Sequence, residues 1–256
     1  MIKGALLDLA GVVYDGDHAI AGSIEAIERL RAAGIRLCFV SNTTRSTKHA
    51  VIARLASFGL TIDGNELFTP AGAAVAWLTQ HERAPHLLVH PALEAEFARL
   101  PGDGPPAVVV GDAGEAFTYG AMNAAFRALA GGADFLALAP NRVFRDADGE
   151  LSLDAGPFVA ALEYASGKRA TVLGKPSAAF FGLALDAIGC EPDEAVMIGD
   201  DAENDVSGAL EAGIGAALLV RTGKYREDDE TRFARPPTAV ADDLADAVQW
   251  IVEHAR

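Results

Sequence analysis

Asp8 closes the apolar run GALLDL, where a buried strand would hand over to a loop. Other polar groups stand in equivalent places. Ser41 and Asn42 follow IRLCFV, Lys175 follows TVL in TVLGKPS, and Asp200 and Asp201 follow VMIG, with Asp205 beyond. Singly, each has an ordinary structural reading: a carboxylate or hydroxyl after a strand caps a helix or closes a turn, and an isolated lysine is a solvated charge. Their shared placement changes that reading. In open parallel sheets the loops at the carboxyl ends of the strands converge. Two carboxylate clusters, a hydroxyl with an amide and one ammonium would then meet at one rim. Such a set can hold a divalent cation and a phosphoryl group together.

The elements that must position these groups alternate between β-rich runs and helical periods. After GALLDL a helix starts near Ser23 with Ile24, Ile27 and Leu30 on one face, and IRLCFVS follows as a strand. The next helix runs to Phe58 with Val51, Leu55 and Phe58 inward. The same grammar returns late: ATVL as a strand, a helix from Ser177 to Gly189, the strands EAVMIGD and IGAALLV, and a closing helix around Leu244, Val248 and Ile251. This alternation specifies a doubly wound α/β fold with a parallel sheet, expected over residues 1–71 and 171–256. The middle block, 72–170, holds HLLVH, AVVVG and DFLALA with helices between them, and VFRDADGELSL reads as a hairpin turning at Asp148-Gly149. It is expected to form a smaller inserted α/β domain.

Composition narrows the partners. The net charge is −15 and no basic stretch stands out, which argues against nucleic acid and against an anionic membrane surface. No run approaches the roughly 20 apolar residues of a membrane span, and MIKGALLDLAGVVYDG carries Asp8 inside its apolar stretch and offers no convincing cleavage site. A cytoplasmic protein is expected. Cys38 and Cys190 read as two buried thiols rather than a disulfide framework. The six histidines have no metal-ligand spacing, DADGE lacks the remaining ligands of a calcium loop, and no Gly-rich nucleotide loop is present.

The series DLAGV, VSNTT, GKPS and IGDDAENDV resembles motifs I to IV of the haloacid dehalogenase superfamily, and the resemblance covers the whole chain. An insertion between motifs II and III, with the terse GKPS, is similar to the type IIA branch of NagD-like phosphatases. More narrowly, GDAGEAFTYGAMNAAF, LDAGPFVAALEYASG and RTGKYR resemble the members that act on phospholysine, phosphohistidine and pyrophosphate. The resemblance implies Asp8 as nucleophile and Mg2+ held by the Asp8 carboxylate, the Ala10 backbone carbonyl and Asp200. It implies Asp201 or Asp205 behind these, orienting metal-bound water or Lys175. Ser41 and the Asn42 backbone would donate to the phosphoryl oxygens, and Lys175 would neutralise charge on nucleophile and substrate. The middle block would act as a cap, with Asp112, Glu115 and Asn141 as candidates to face the substrate.

Ala10 departs from the superfamily pattern, which places a second aspartate there as general acid; the related pyrophosphate-cleaving members carry a serine. A methyl group cannot protonate a leaving alkoxide, but the backbone carbonyl remains. The expected substrates are therefore phosphates with good leaving groups: pyrophosphate, phospholysine or phosphohistidine, as a small molecule or a phosphorylated side chain. Phosphonoacetaldehyde hydrolase shares the alanine but needs a lysine-bearing cap between motifs I and II, and the stretch from Asp8 to Ser41 has no room for one. Two alternatives stay open: a phosphate-ligand-binding protein with little turnover, and a phosphotransferase to an acceptor other than water. Pairing of caps into a homodimer is an expectation by analogy.

Overall fold

The computed structural model describes residues 1–145, 150–233 and 235–254. Its contacts divide the chain into two compact units. One comprises Met1–Ser41, Val51–Phe68 and Lys175–Arg256, the other Asn42–Ala50 and Thr69–Gly174.

The first unit is built on a six-stranded sheet in the order Ala239–Ala241, Ala216–Val220, Ala195–Gly199, Gly4–Asp8, Arg36–Val40, Leu67–Phe68. Every pairing is parallel. The central strands are buried along their whole length because both faces are covered. On one face, Ala5, Leu7, Leu37, Phe39, Val196, Ile198 and Leu218 pack against Ile27 and Leu30, Val51 and Leu55, and Val248 and Ile251. These six come from the helices Ser23–Ala32, Lys48–Ser57 and Leu244–His254. The alternate residues Leu6, Cys38, Met197 and Ala217 are equally buried, and the helix Ala178–Ile188 packs against the Gly4–Asp8 and Arg36–Val40 strands. Cys38 and Cys190 are buried, reduced cysteines.

The second unit carries a four-stranded parallel sheet in the order Thr171–Val172, Asp134–Ala137, Pro106–Val110, Ala84–Leu88. Val108, Val110, Phe135 and Ala137 from it pack against Ala125, Leu129, Val159 and Leu162. Thr118 caps the helix Tyr119–Ala130 by accepting from the Ala121 N–H, 3.2 Å away. Val143–Arg145 and Leu151–Leu153 pair antiparallel as the expected hairpin arms; the turn at Asp148-Gly149 lies outside the described residues.

The run ATVL behaves differently from its sequence reading. The sequence places it with the late half of the chain, whereas Thr171–Val172 adds to the edge of the second unit's sheet, pairing with Leu136 and Ala137. A two-residue strand has too little pattern of its own to choose a sheet, so the chain path sets its partner. Among the described residues, no helix is long and apolar enough to cross a membrane.

Candidate active site

The register of the large sheet brings the sequence candidates level. Asp8 pairs with Val40, so Ser41 lies one residue past the carboxyl end of the neighbouring strand. Leu7 pairs with Ile198 and Gly199 with Leu219. Asp200 therefore leaves its strand beside Asp8, and the segment after Val220 leaves beside Asp200. Parallel strands in register place all these exits on one edge.

Lys175 joins this edge from a distant part of the chain. Its Nζ donates to Asp8 Oδ1 at 2.7 Å and lies 2.7 Å from Asp205 Oδ1. The second contact is a buried ion pair. Lys175 is 2% exposed, and Asp200 and Asp205 are 1% exposed each. Burial alone would strip the Lys175 proton, but Asp205 and Asp8 outweigh it and push the ammonium's pKa up. Burial also pushes Asp205 up, against the pull of Lys175. The two tendencies oppose each other. With a charged ammonium fixed at ion-pair distance, we take the pair as ammonium with carboxylate.

Asp200 has no such cation. Its Oδ2 accepts from the Lys224 backbone N–H at 2.6 Å, and its Oδ1 is buried with no hydrogen-bond partner. Burial first, then Asp8 and Asp205, push its carboxyl up to about 8. The carboxylate fits where two glycines approach. A Cβ on Gly11 (φ +85°) or on Gly223 (φ +62°) would stand 2.0 Å from Asp200 Oδ2. The two loops also touch directly: Thr222 Oγ1 donates to the Gly11 carbonyl. Only glycine adopts these backbone angles without strain and leaves that space.

Oxygens of Asp8, Asp200 and Asp205 lie within 4.8 Å of one another. Counting Asp201 and Lys224, four carboxylates face two ammonium groups, a deficit that one divalent cation would fill. An all-oxygen donor set and an orphaned Asp200 Oδ1 suit a hard divalent ion. All three carboxylates could contribute a ligand; Asp8 and Asp205 share Lys175, while Asp200 keeps an unpartnered oxygen. Asp201 faces its own chain, accepting from the N–H groups of Glu203 and Asn204 and from Asn204 Nδ2. That arrangement caps a π-type turn over Ala202–Ser207, and Asp205 Oδ2 accepts from the Asp201 N–H within it.

Other candidates fall elsewhere. Asn42 opens the segment that clusters with the second unit. Asp112 is tied up structurally: one oxygen accepts from the Gly114 N–H and the other from Arg45 Nε. Glu115 is exposed, and Asn141 Oδ1 is buried without a partner. The residues not singled out by sequence were Gly11, Thr222, Gly223 and Lys224. RTGKYR, following directly on a strand, carried the signal: a glycine between a hydroxyl and a cation at a strand exit.

This geometry has known relatives. Residues 5–100 match a family model described as haloacid dehalogenase-like hydrolase, and residues 172–247 match a second, HAD-hydrolase-like model. The chain is 42% identical over 253 residues to human haloacid dehalogenase-like hydrolase domain-containing protein 2, spanning 99% of this chain and 97% of that protein. It is 41% identical over 260 residues to human phospholysine phosphohistidine inorganic pyrophosphate phosphatase, spanning 99% and 96%. A glycerol phosphate phosphatase from Mycobacterium tuberculosis, solved with magnesium, superposes with a TM-score of 0.82 at 28% identity, covering 96% of this chain and 76% of that one. The chain belongs to the haloacid dehalogenase-like hydrolase family, and it is a phosphohydrolase of that type.

Proposed function

We propose that this protein is a magnesium-dependent phosphatase that works through an aspartyl-phosphate on Asp8 and favours substrates whose leaving group needs no proton. A carboxylate oxygen of Asp8 attacks phosphorus, the bond to the leaving group breaks, and water then releases phosphate from the aspartyl ester. Lys175, bonded to Asp8 and paired with Asp205, orients the nucleophile and offsets charge on the transferring group. The Ser41 hydroxyl and the adjoining Asn42 backbone N–H are the donors to the phosphoryl oxygens. Asp8, Asp200 and the Ala10 carbonyl would hold Mg2+, which supplies Lewis-acid stabilisation of the phosphoryl oxygens when bound.

The observation that carries the substrate class is Ala10. Its methyl is exposed, whereas Asp8, Asp200 and Lys175 are all buried. An acid at that position would contribute about 10²–10⁴-fold to a poor leaving group, or roughly 3–5 kcal/mol of barrier. Alkoxide departure from a sugar phosphate bears that loss in full. Phosphate leaving from pyrophosphate and amine leaving from a protonated phospholysine bear little of it. The similarity to the pyrophosphate- and phospholysine-cleaving phosphatase supports the same class. The test is phosphate release with Mg2+ from pyrophosphate, phospholysine, acetyl phosphate and a sugar phosphate, with Asp8→Asn as blank. Good turnover of the first three over the fourth is expected. Preference for the sugar phosphate would overturn the leaving-group reading, and release no greater than the Asp8→Asn blank would overturn the enzymatic one.

A further inference from the structure

The loop that cradles Asp200 presents a second lysine beside the position where residue 10 offers nothing. Gly11 and Gly223 are in backbone contact: a Cβ on Gly223 would lie 2.5 Å from the Gly11 Cα, and Thr222 Oγ1 is bonded to the Gly11 carbonyl. Ala10 and Lys224 are the residues flanking this contact, one on each chain segment, and both are exposed. Lys224 is anchored through its backbone, whose N–H binds Asp200 Oδ2.

The ammonium of Lys224 is weakly engaged. Its contact is to Asp201 Oδ2 at 3.4 Å, with 62% of the lysine side chain exposed, so solvent reaches it and the pair is worth little. Asp201 does not depend on it, being held by two backbone N–H groups and by Asn204 Nδ2. The ammonium nevertheless lies in the field of Asp201, Asp8, Asp200 and Asp205. An exposed cation in the field of the nucleophile's cluster, on the loop that touches the segment carrying Ala10, is available to any anion that arrives there.

We propose that Lys224 is a further substrate-contacting residue, which stabilises negative charge on a departing phosphate in place of an acid at position 10. This rests on the phosphoryl-transfer reading above. In the step concerned, an Asp8 oxygen bonds to one phosphorus of pyrophosphate and the bridging P–O bond breaks, its electron pair staying on the leaving oxygen. When the departing half of pyrophosphate already carries its proton, it leaves as hydrogen phosphate with no proton transferred in the step. Lys224 acts as a fixed positive charge, whose attraction grows as the bond lengthens. An amine leaving group develops no such charge, so the residue matters for P–O–P cleavage and much less for P–N cleavage.

The experiment compares wild type, Lys224→Met and Lys224→Arg on pyrophosphate and on phospholysine with saturating Mg2+, reading kcat and KM separately. Lys224→Met is expected to lower kcat for pyrophosphate by about 10–100-fold, the scale of one lost hydrogen bond to a charged group, and at least tenfold more than for phospholysine, with Lys224→Arg restoring most of the loss. Thermal unfolding and Mg2+ titration of each variant expose a merely structural effect, which would weaken both substrates alike. Equal losses on the two substrates, or no loss on pyrophosphate, overturn the assignment while leaving the phosphatase reading intact. A wild-type protein inert on both substrates, or an Asp8→Asn variant as active as wild type, overturns the phosphatase reading and this assignment with it.

Discussion

Replacing Lys175 with methionine keeps the apolar stem and removes a buried cation of the site. The ammonium sits 2.7 Å from a carboxylate oxygen of Asp8 and 2.7 Å from one of Asp205, and its side chain is 3% exposed. Without it, Asp8, Asp200 and Asp205 crowd together with oxygens within 4.8 Å and no buried counter-charge. Breaking a buried ion pair from one side costs about 3–5 kcal/mol, because a charge is left unpaired. At about 2–4 °C per kcal/mol for a chain of this size, the unfolding midpoint should fall by about 6–20 °C in metal-free buffer at neutral pH. Adding Asp205→Asn to the same protein removes one of the stranded charges. The double variant should therefore be more stable than Lys175→Met alone, which is the signature of direct coupling. Thermal unfolding of the four proteins completes the cycle. A midpoint within about 2 °C of wild type for Lys175→Met, or a double variant less stable than the single one, would refute the charge argument.

Asp200 is pushed up by burial and by its acidic neighbours. The folded protein therefore binds more protons than the unfolded chain between its ordinary range and about pH 8, and the sign of linkage makes stability fall as pH rises through that window. Metal-free protein should lose up to about 1.4 kcal/mol per pH unit there, and saturating Mg2+, if held by the ionised carboxylates as proposed, should flatten the slope; urea unfolding from pH 5 to 8 measures both. Gly223→Ala would drive a methyl to 2.0 Å from Asp200 Oδ2 at a positive φ, costing about 1–3 kcal/mol and weakening Mg2+ affinity, which calorimetry would read. Mg2+ affinity equal to wild type in that variant would detach the Gly11–Gly223 cradle from metal binding.

Much of this site was legible because its chemistry sits at strand ends, and strands announce themselves by apolar runs. The runs GALLD, RLCFV and AVMIG place Asp8, Ser41 and Asp200 at strand ends from the sequence alone. The helix Ala178–Ile188 ends at Gly189 as its glycine suggested, although Ser177 stands at its start without a side-chain cap bond. What escaped was long-range. Thr222 and Gly11 are 211 residues apart and meet because two parallel strands flank a third. No local pattern encodes that contact. The segment Asn42–Ala50 follows a core strand in sequence but clusters with the other unit, partly through Arg45 on Asp112 and the Lys48 N–H on Glu96. Hydrogen bonds 48 and 67 residues apart in sequence contribute to that placement, and periodicity cannot see them.

The central claim is the covalent step on Asp8, and trapping it is the most direct measurement. The enzyme is mixed with pyrophosphate and Mg2+, quenched in acid within one turnover, reduced with borohydride and digested. An acyl phosphate on Asp8 is reduced to homoserine, so mass spectrometry of the peptide carrying GALLDLAGV should show that change. It should vanish when either pyrophosphate or Mg2+ is omitted, and also in Lys175→Met. Steady phosphate release under the same conditions with Asp8 unmodified at every quench time would contradict the account, because hydrolysis would then be proceeding without the aspartyl-phosphate.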